Sequence, residues 1–297
     1  MKSALIKSAI AVMATLTGLT VEGGQVAWAG TLYEGWNYSI DSFNDGTEGR
    51  RIGENSAFEF YGLATKTTRD KVYFAVNSNL SLDGHRSRRA LNGSISYGDL
   101  FLNFANLDSV QAANGDLHAI RFNETNDTTY ESGLYANVTG IGLMTQNSGY
   151  SNLVRHRNAV NSFGGEASFG DLDAETAYFN HDNGQATSLN NTAYGYTNIG
   201  SGDRQGNVVM ADNLGEMGLD FGHFGATGDY TFGFSVDRDL LPDGDFIAHL
   251  FAECDNDGVA LAGTTDVPEP STALGLAVLG LLGAGFRRFQ ASQDADA

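Results

Sequence analysis

Asn-Asp-Gly occurs twice in the chain, at Asn44-Asp45-Gly46 and at Asn256-Asp257-Gly258, with Asp41 and Asp255 close by. Carboxylates and amide oxygens gathered on a glycine turn suit calcium, a hard cation that takes about 6–8 oxygen ligands. Asp41, Asn44, Asp45, Asp255, Asn256 and Asp257 are therefore the candidate ligands, and calcium is the one cofactor suggested. Neither tripeptide completes the full D-x-[DN]-x-[DN]-G loop. The same residues also favour hairpin turns, because Asn, Asp and Gly tolerate positive φ. Both readings fit the sequence.

Other groups are weaker candidates. Asp171-Leu172-Asp173-Ala174-Glu175 would put three carboxylates on one face of a strand, most simply a solvated one. The six histidines are dispersed, so a zinc site has little support. His249 and Glu253 would share a strand face as a surface pair. Arg86, Arg88 and Arg89 make one basic spot and Arg155-His156-Arg157 another, able to grip anionic polysaccharide or to pair with acids nearby. No nucleophile elbow, phosphate loop or dinucleotide fingerprint occurs, so no catalytic residue is assigned. Carboxylates are abundant, yet nothing singles out a glycosidase acid pair. Cys254, the sole cysteine, cannot make an internal disulfide and reads as a small buried hydrophobe.

These residues must be positioned by strands. Glycine is plentiful at 38 residues, and proline occurs only three times. Short apolar alternations recur at 57–61, 71–76, 94–104, 117–122, 134–141, 230–236 and 246–254, the last entered from a turn at 241–245. No stretch of the mature chain shows a long apolar period of 3.6 residues. Residues 145–166 and 180–206 are rich in Asn, Gly and Ser and read as long loops or an inserted subregion. The expected fold is all-β, a β-sandwich or jelly roll with one buried face on each sheet. Acidic residues outnumber basic ones 36 to 17, a formal net charge of −19. That balance opposes nucleic-acid binding and attracts divalent cations.

Both ends carry targeting signals. Lys2 and Lys7 precede an apolar run from Ser8 to Val21, and Ala27-Trp28-Ala29 is an A-x-A cleavage site. Residues 1–29 are thus expected to be a helical secretory signal peptide, with the mature chain starting at Gly30. Sec export and signal peptidase are the implied partners. At the other end, residues 267–297 hold Val267-Pro268-Glu269-Pro270, an uncharged run of 16 residues from Ser271 to Phe286, and Arg287-Arg288. Prolines keep the approach extended, and the arginines anchor the far end of a single apolar helix on the cytoplasmic side. That run is short against the ~20 residues that comfortably span a bilayer.

The order Pro-Glu-Pro, apolar helix, Arg-Arg resembles the PEP-CTERM sorting signal, which is read by membrane proteases called exosortases. The resemblance implies transit through an inner membrane, cleavage near Pro268–Pro270, and delivery to the cell surface or extracellular matrix. One departure is the tail from Phe289 to Ala297, since family members tend to stop soon after the basic pair. A second resemblance rests on 41–46, 58–64, 97–104 and 253–258, which look like a group of exosortase-dependent surface proteins of cyanobacteria. It implies a class and a location, with no reaction attached.

Residues 30–266 would then be one all-β extracellular domain. The leading expectation is a non-enzymatic surface or matrix protein associated with exopolysaccharide. The rivals are a secreted carbohydrate-active enzyme and a calcium-stabilised adhesin. An exposed groove of Trp36, Tyr38, Tyr194 and Tyr196 would instead mark a carbohydrate-binding module.

Overall fold

A computed structural model of the chain describes residues 30–179 and 195–267. Within them, two six-stranded antiparallel sheets account for the architecture. The first runs, in spatial order, Thr31–Tyr33, Trp36–Ile40, Phe60–Thr67, Lys71–Ser78, Tyr230–Asp237 and Val209–Met210. The second runs Asn198–Gly206, Gly133–Ile141, Leu117–Arg121, Leu100–Asn103, Asp245–Phe251 and Gly258–Thr264. Neighbouring strands often come from distant parts of the chain. Tyr230–Asp237 pairs with Lys71–Ser78 over eight residue pairs, and Asp245–Phe251 pairs with both Leu100–Asn103 and Gly258–Thr264.

Alternating side chains from the two sheets form one apolar cluster. Phe74, Val76 and Phe234 from the first sheet join Leu100, Leu102, Ile120, Phe246 and Leu250 from the second. The expectation of one buried face per sheet underestimates the burial. Trp36, Tyr38, Tyr61 and Ala75, on the other face of the first sheet, are covered by Leu214, Phe221 and Ala226. Phe101, Tyr135, Ile247 and Phe251, on the other face of the second, pack against Leu153, Phe169, Leu172 and Phe179. Long segments thus roof both outer faces, so several strands bury consecutive residues instead of every second one.

Local boundaries shift for identifiable reasons. The strand expected at 57–61 begins at Phe60 and passes straight through Gly62 to Thr67. The span 94–104 is broken into Ser94–Ile95 and Leu100–Asn103. Residues 145–166 contain an α-helix, Leu153–Phe163, which apolar periodicity does not reveal. Its caps are visible in hindsight: the Asn152 side chain accepts from the Arg155 N–H, and Gly164 closes the helix at φ 87°. Asn198–Gly206, expected within a loop, is a strand.

The targeting residues Ala27, Ala29, Pro268, Glu269, Pro270, Arg287 and Arg288 lie outside the described residues, as does the apolar run from Ser271 to Phe286. Gly30 and Val267 stand at the two edges of the described domain, and Val267 is exposed. Among the described residues no helix is long and apolar enough to cross a membrane.

Candidate metal centre

The two Asn-Asp-Gly segments lie side by side. The first follows the Trp36–Ile40 strand, and the second closes the loop between the last two strands of the second sheet. The Thr47 N–H donates to the Asn256 carbonyl at 3.0 Å, and Asn256 Nδ2 donates to the Thr47 carbonyl at 2.7 Å. Neither segment is a two-residue hairpin turn. The adjacent hairpin turns at Gly49–Arg50, and of the four Asn and Asp residues in the two tripeptides none has positive φ.

This pairing collects carboxylates. Asp41, Asp45 and Asp257 each bring one oxygen within 4.8 Å of the others, and all three side chains are buried. Each is aimed by a backbone donor. Gly170 N–H donates to Asp41 Oδ1 at 2.8 Å, Ser168 N–H to Asp45 Oδ2 at 2.7 Å, and Phe60 N–H to Asp257 Oδ2 at 2.7 Å. Glu59 lies beside this group without belonging to it, near enough for its charge to act on Asp45 and Asp257, and its Oε2 accepts from the Gly46 N–H at 2.7 Å. Gly46 is glycine for a steric reason. A Cβ there would lie 2.4 Å from Glu59 Cα and 2.7 Å from its nitrogen.

Three oxygens of these four acids accept no hydrogen bond: Asp41 Oδ2, Asp45 Oδ1 and Glu59 Oε1. No lysine or arginine forms an ion pair with any of the four among the described residues. Burial raises every one of these acids, and the charge of neighbouring carboxylates adds to it for Asp45, Glu59 and Asp257. Asp41 is pushed up to about 7 by burial and Glu59 to about 9 by burial and the charge of Asp41. Asp45 and Asp257 are raised well above the ordinary carboxylate range by burial and their neighbours' charges.

A second buried polar cluster shows what a satisfied site looks like in the same protein. Asp99 accepts from Asn126 Nδ2 at 2.8 Å, Thr128 Oγ1 at 2.5 Å and Ile199 N–H at 2.8 Å. Glu253 accepts from Asp127 N–H, Asn198 Nδ2 and Ser96 N–H at 2.7, 2.8 and 3.2 Å. All four oxygens of this pair are bonded, and Arg121 ties the Asn126 side chain to the Tyr130 and Glu124 carbonyls. Both acids are thus saturated inside a structural network, in which Asn198 Oδ1 is left without a donor.

The remaining candidates disperse. Asn44 is exposed, its Oδ1 accepting from Ser42 Oγ and the Glu166 N–H. Asn256 fastens the two segments through Thr47. Asp255 is buried, at φ 51°, with neither oxygen hydrogen-bonded, and it stands outside the Asp41–Asp45–Asp257 group. Only Leu172–Asp173 of the 171–175 acidic stretch is strand. Asp171 turns inward to accept from the Ala262 N–H, whereas Glu175 pairs with Arg157, so the three carboxylates share no face. His249 and Glu253 are both fully buried, not a surface pair. The ring of His249 stacks on Phe101 with centroids 5.1 Å apart. The second basic spot dissolves as well. His156 is buried, its Nε2 2.9 Å from the Asp45 carbonyl, and Arg157 is held by Glu175. Trp36, Tyr38 and Tyr196 are buried and line no exposed groove, while Tyr194 lies outside the described residues. Cys254 is fully buried, as a structural thiol should be.

Sequence reasoning missed Glu59, and it placed His156 in a basic spot and not against the Asp45 carbonyl. The signal for Glu59 was an acid set between Phe58 and Phe60, where a solvated side chain is out of place.

Residues 266–288 match the family model described as a PEP-CTERM protein-sorting motif. The motif identifies an exported surface protein sorted by an exosortase. No curated protein and no solved structure matches the chain.

Proposed function

We propose that this is a non-enzymatic surface or matrix protein whose all-β domain, a β-sandwich or jelly roll, is carried out by the Sec route and associates with extracellular polysaccharide. Signal peptidase would release Gly30, and the exosortase would cut near Pro268–Pro270. The observation that carries the reading is the sorting motif at 266–288. The chemistry of the domain supports it. Trp36, Tyr38 and Tyr196, three of the aromatics that could have stacked on sugar rings from an open groove, are in the core. The clustered carboxylates are buried and within 4.8 Å of one another, tighter than the roughly 5–9 Å at which glycosidase acid pairs straddle a bond. Arg86, at the end of the short strand His85–Arg86, and Arg88 and Arg89 in the loop that follows, by contrast, stand exposed, free to meet an anionic polymer.

The test is an intact mass of the protein recovered from surface and medium, with and without the host's exosortase. A chain from Gly30 to near Pro270, lost when the protease is deleted, is the expected result. A chain that keeps Arg287 and Arg288 in both strains would overturn the reading.

A further inference from the structure

We propose that Asp41, Asp45, Glu59 and Asp257 together bind one calcium ion, which fastens the first strands of the domain to its last hairpin. Acid clusters are common on protein surfaces and mean little there. This one is different in two independent respects. First, its members are inside: Asp45, Glu59 and Asp257 have no exposed surface and Asp41 keeps 6%. Second, Asp45 Oδ1, Asp41 Oδ2 and Glu59 Oε1 are buried without a donor, although the protein saturates Asp99 and Glu253 elsewhere in its interior. A buried acceptor left unmade costs on the order of 1–3 kcal/mol, and more when charged. Three in one place point to a cation that supplies what hydrogen bonds do not.

The donor set selects the ion. All the side-chain donors are hard carboxylate oxygens, which suit calcium or magnesium over zinc or copper. His156, the nearest imidazole, is spent on the Asp45 carbonyl. Magnesium demands near-ideal octahedral geometry and keeps several waters, whereas calcium accepts irregular sets and bidentate carboxylates. Here a backbone N–H pins one oxygen each of Asp41, Asp45 and Glu59, and the Phe60 and Gly258 N–H groups pin both oxygens of Asp257, so the approach of each carboxylate is dictated by the fold and not by an octahedron. A way in exists, because Asp41 and Asn44 also line a surface depression with Ser42, Glu166, Ser168 and Asp173. The acids outside the site make that approach attractive to cations.

The ligands come from 41–59 and from 257, so the ion would join segments that meet only in the folded domain. The chain should therefore bind calcium folded far better than unfolded, and calcium should raise its melting temperature. The experiment uses the exported protein, stripped with EDTA and titrated with calcium chloride in a calorimeter and in thermal melts. One equivalent of calcium should bind. A hundredfold excess over Kd should raise Tm by about 5–10 °C for a domain of this size. Asp45→Asn and Glu59→Gln should each weaken binding at least tenfold, while Glu216→Gln, at an exposed acid outside the entry depression, should leave it unchanged.

No binding heat, with a melt insensitive to EDTA and calcium alike, would overturn the site. So would full affinity in Asp45→Asn and Glu59→Gln, which would place the ion elsewhere. Equal affinity for magnesium would overturn the choice of ion. Should either variant fail to fold, the stoichiometry and the calcium-dependent melt of the unaltered protein decide by themselves.

Discussion

Asp45 and Asp257 lie near opposite ends of the domain's sequence, yet they present carboxylate oxygens within 4.8 Å of each other. Neither reaches across alone. Asp45 is held by the Ser168 N–H and Asp257 by the Phe60 N–H, and the strands behind them belong to different sheets. The contact therefore reports the closure of the whole domain. Any change that displaces one of these donors should be felt as loss of global stability.

Gly46→Ala tests this most simply. Its new Cβ would fall 2.4 Å from Glu59 Cα, a backbone atom that cannot step aside. The expected cost is about 1–3 kcal/mol, the range of overpacking at a constrained site. Denaturant unfolding should show the midpoint shift with an unchanged slope. A variant as stable as the parent would mean that the Gly46–Glu59 approach is looser than it stands.

The calcium ligands were half legible in the sequence. The repeated Asn-Asp-Gly pointed to Asp41, Asp45 and Asp257, because short acids on glycine turns are recognisable without knowing the fold. Asn44, Asp255 and Asn256 looked equivalent and are not, since Asn44 is directed by contacts to Ser42 and Glu166 and Asn256 by Thr47, while Asp255 stands outside the group at φ 51°, none of which sequence spacing encodes. Glu59 joins from the residue just before the Phe60–Thr67 strand, and its approach to Gly46 is invisible without the fold. The strands were legible because alternation survives wherever one face meets the shared core. The roofing of both outer faces was not, because Leu214, Phe221, Phe169 and Phe179 come from segments with no regular period. The helix Leu153–Phe163 hid for a related reason, as it buries only a few side chains.

That helix yields a modest prediction. Asn152→Ala removes the oxygen that accepts the Arg155 N–H at 2.9 Å, leaving a first-turn donor without its cap. Loss of such a cap costs about 1 kcal/mol. Thermal melts should register a drop of roughly 2–4 °C, while Asn152→Asp, which can accept the same bond, should stay near the parent.

The basic loop offers a test of what the domain touches. Arg86, Arg88 and Arg89 are exposed, in a protein of net charge −19. Replacing all three with alanine should weaken cosedimentation with the host's anionic exopolysaccharide severalfold, and added salt should weaken the parent similarly. The melting temperature should hardly move, because exposed charges contribute little to stability. Undiminished binding by the triple variant would remove this loop from the interaction.

Acid sensitivity should trace in part to His249. Burial holds it down at about 3, only partly offset by the backbone at Tyr196, against roughly 6.5 in the unfolded chain. A folded pKa below the unfolded one means that the unfolded state binds the extra proton between those values. Stability therefore falls as pH drops from about 6.5 towards 3, and this residue gives no penalty above that window. Between pH 6.5 and 4.5 the loss from His249 alone should be about 2–3 kcal/mol. Glu253 works in the opposite direction. Burial raises it to about 7, so it costs stability as pH rises from about 4.5 towards 7 and partly masks the histidine. His249→Phe separates the two. The ring sits against Phe101, Phe179 and Phe251, where a phenyl group fits chemically and cannot titrate. The variant's stability relative to the parent should improve by about 2–3 kcal/mol from pH 6.5 to 4.5. Parallel pH profiles for the two proteins would show that the buried imidazole is not what acid attacks.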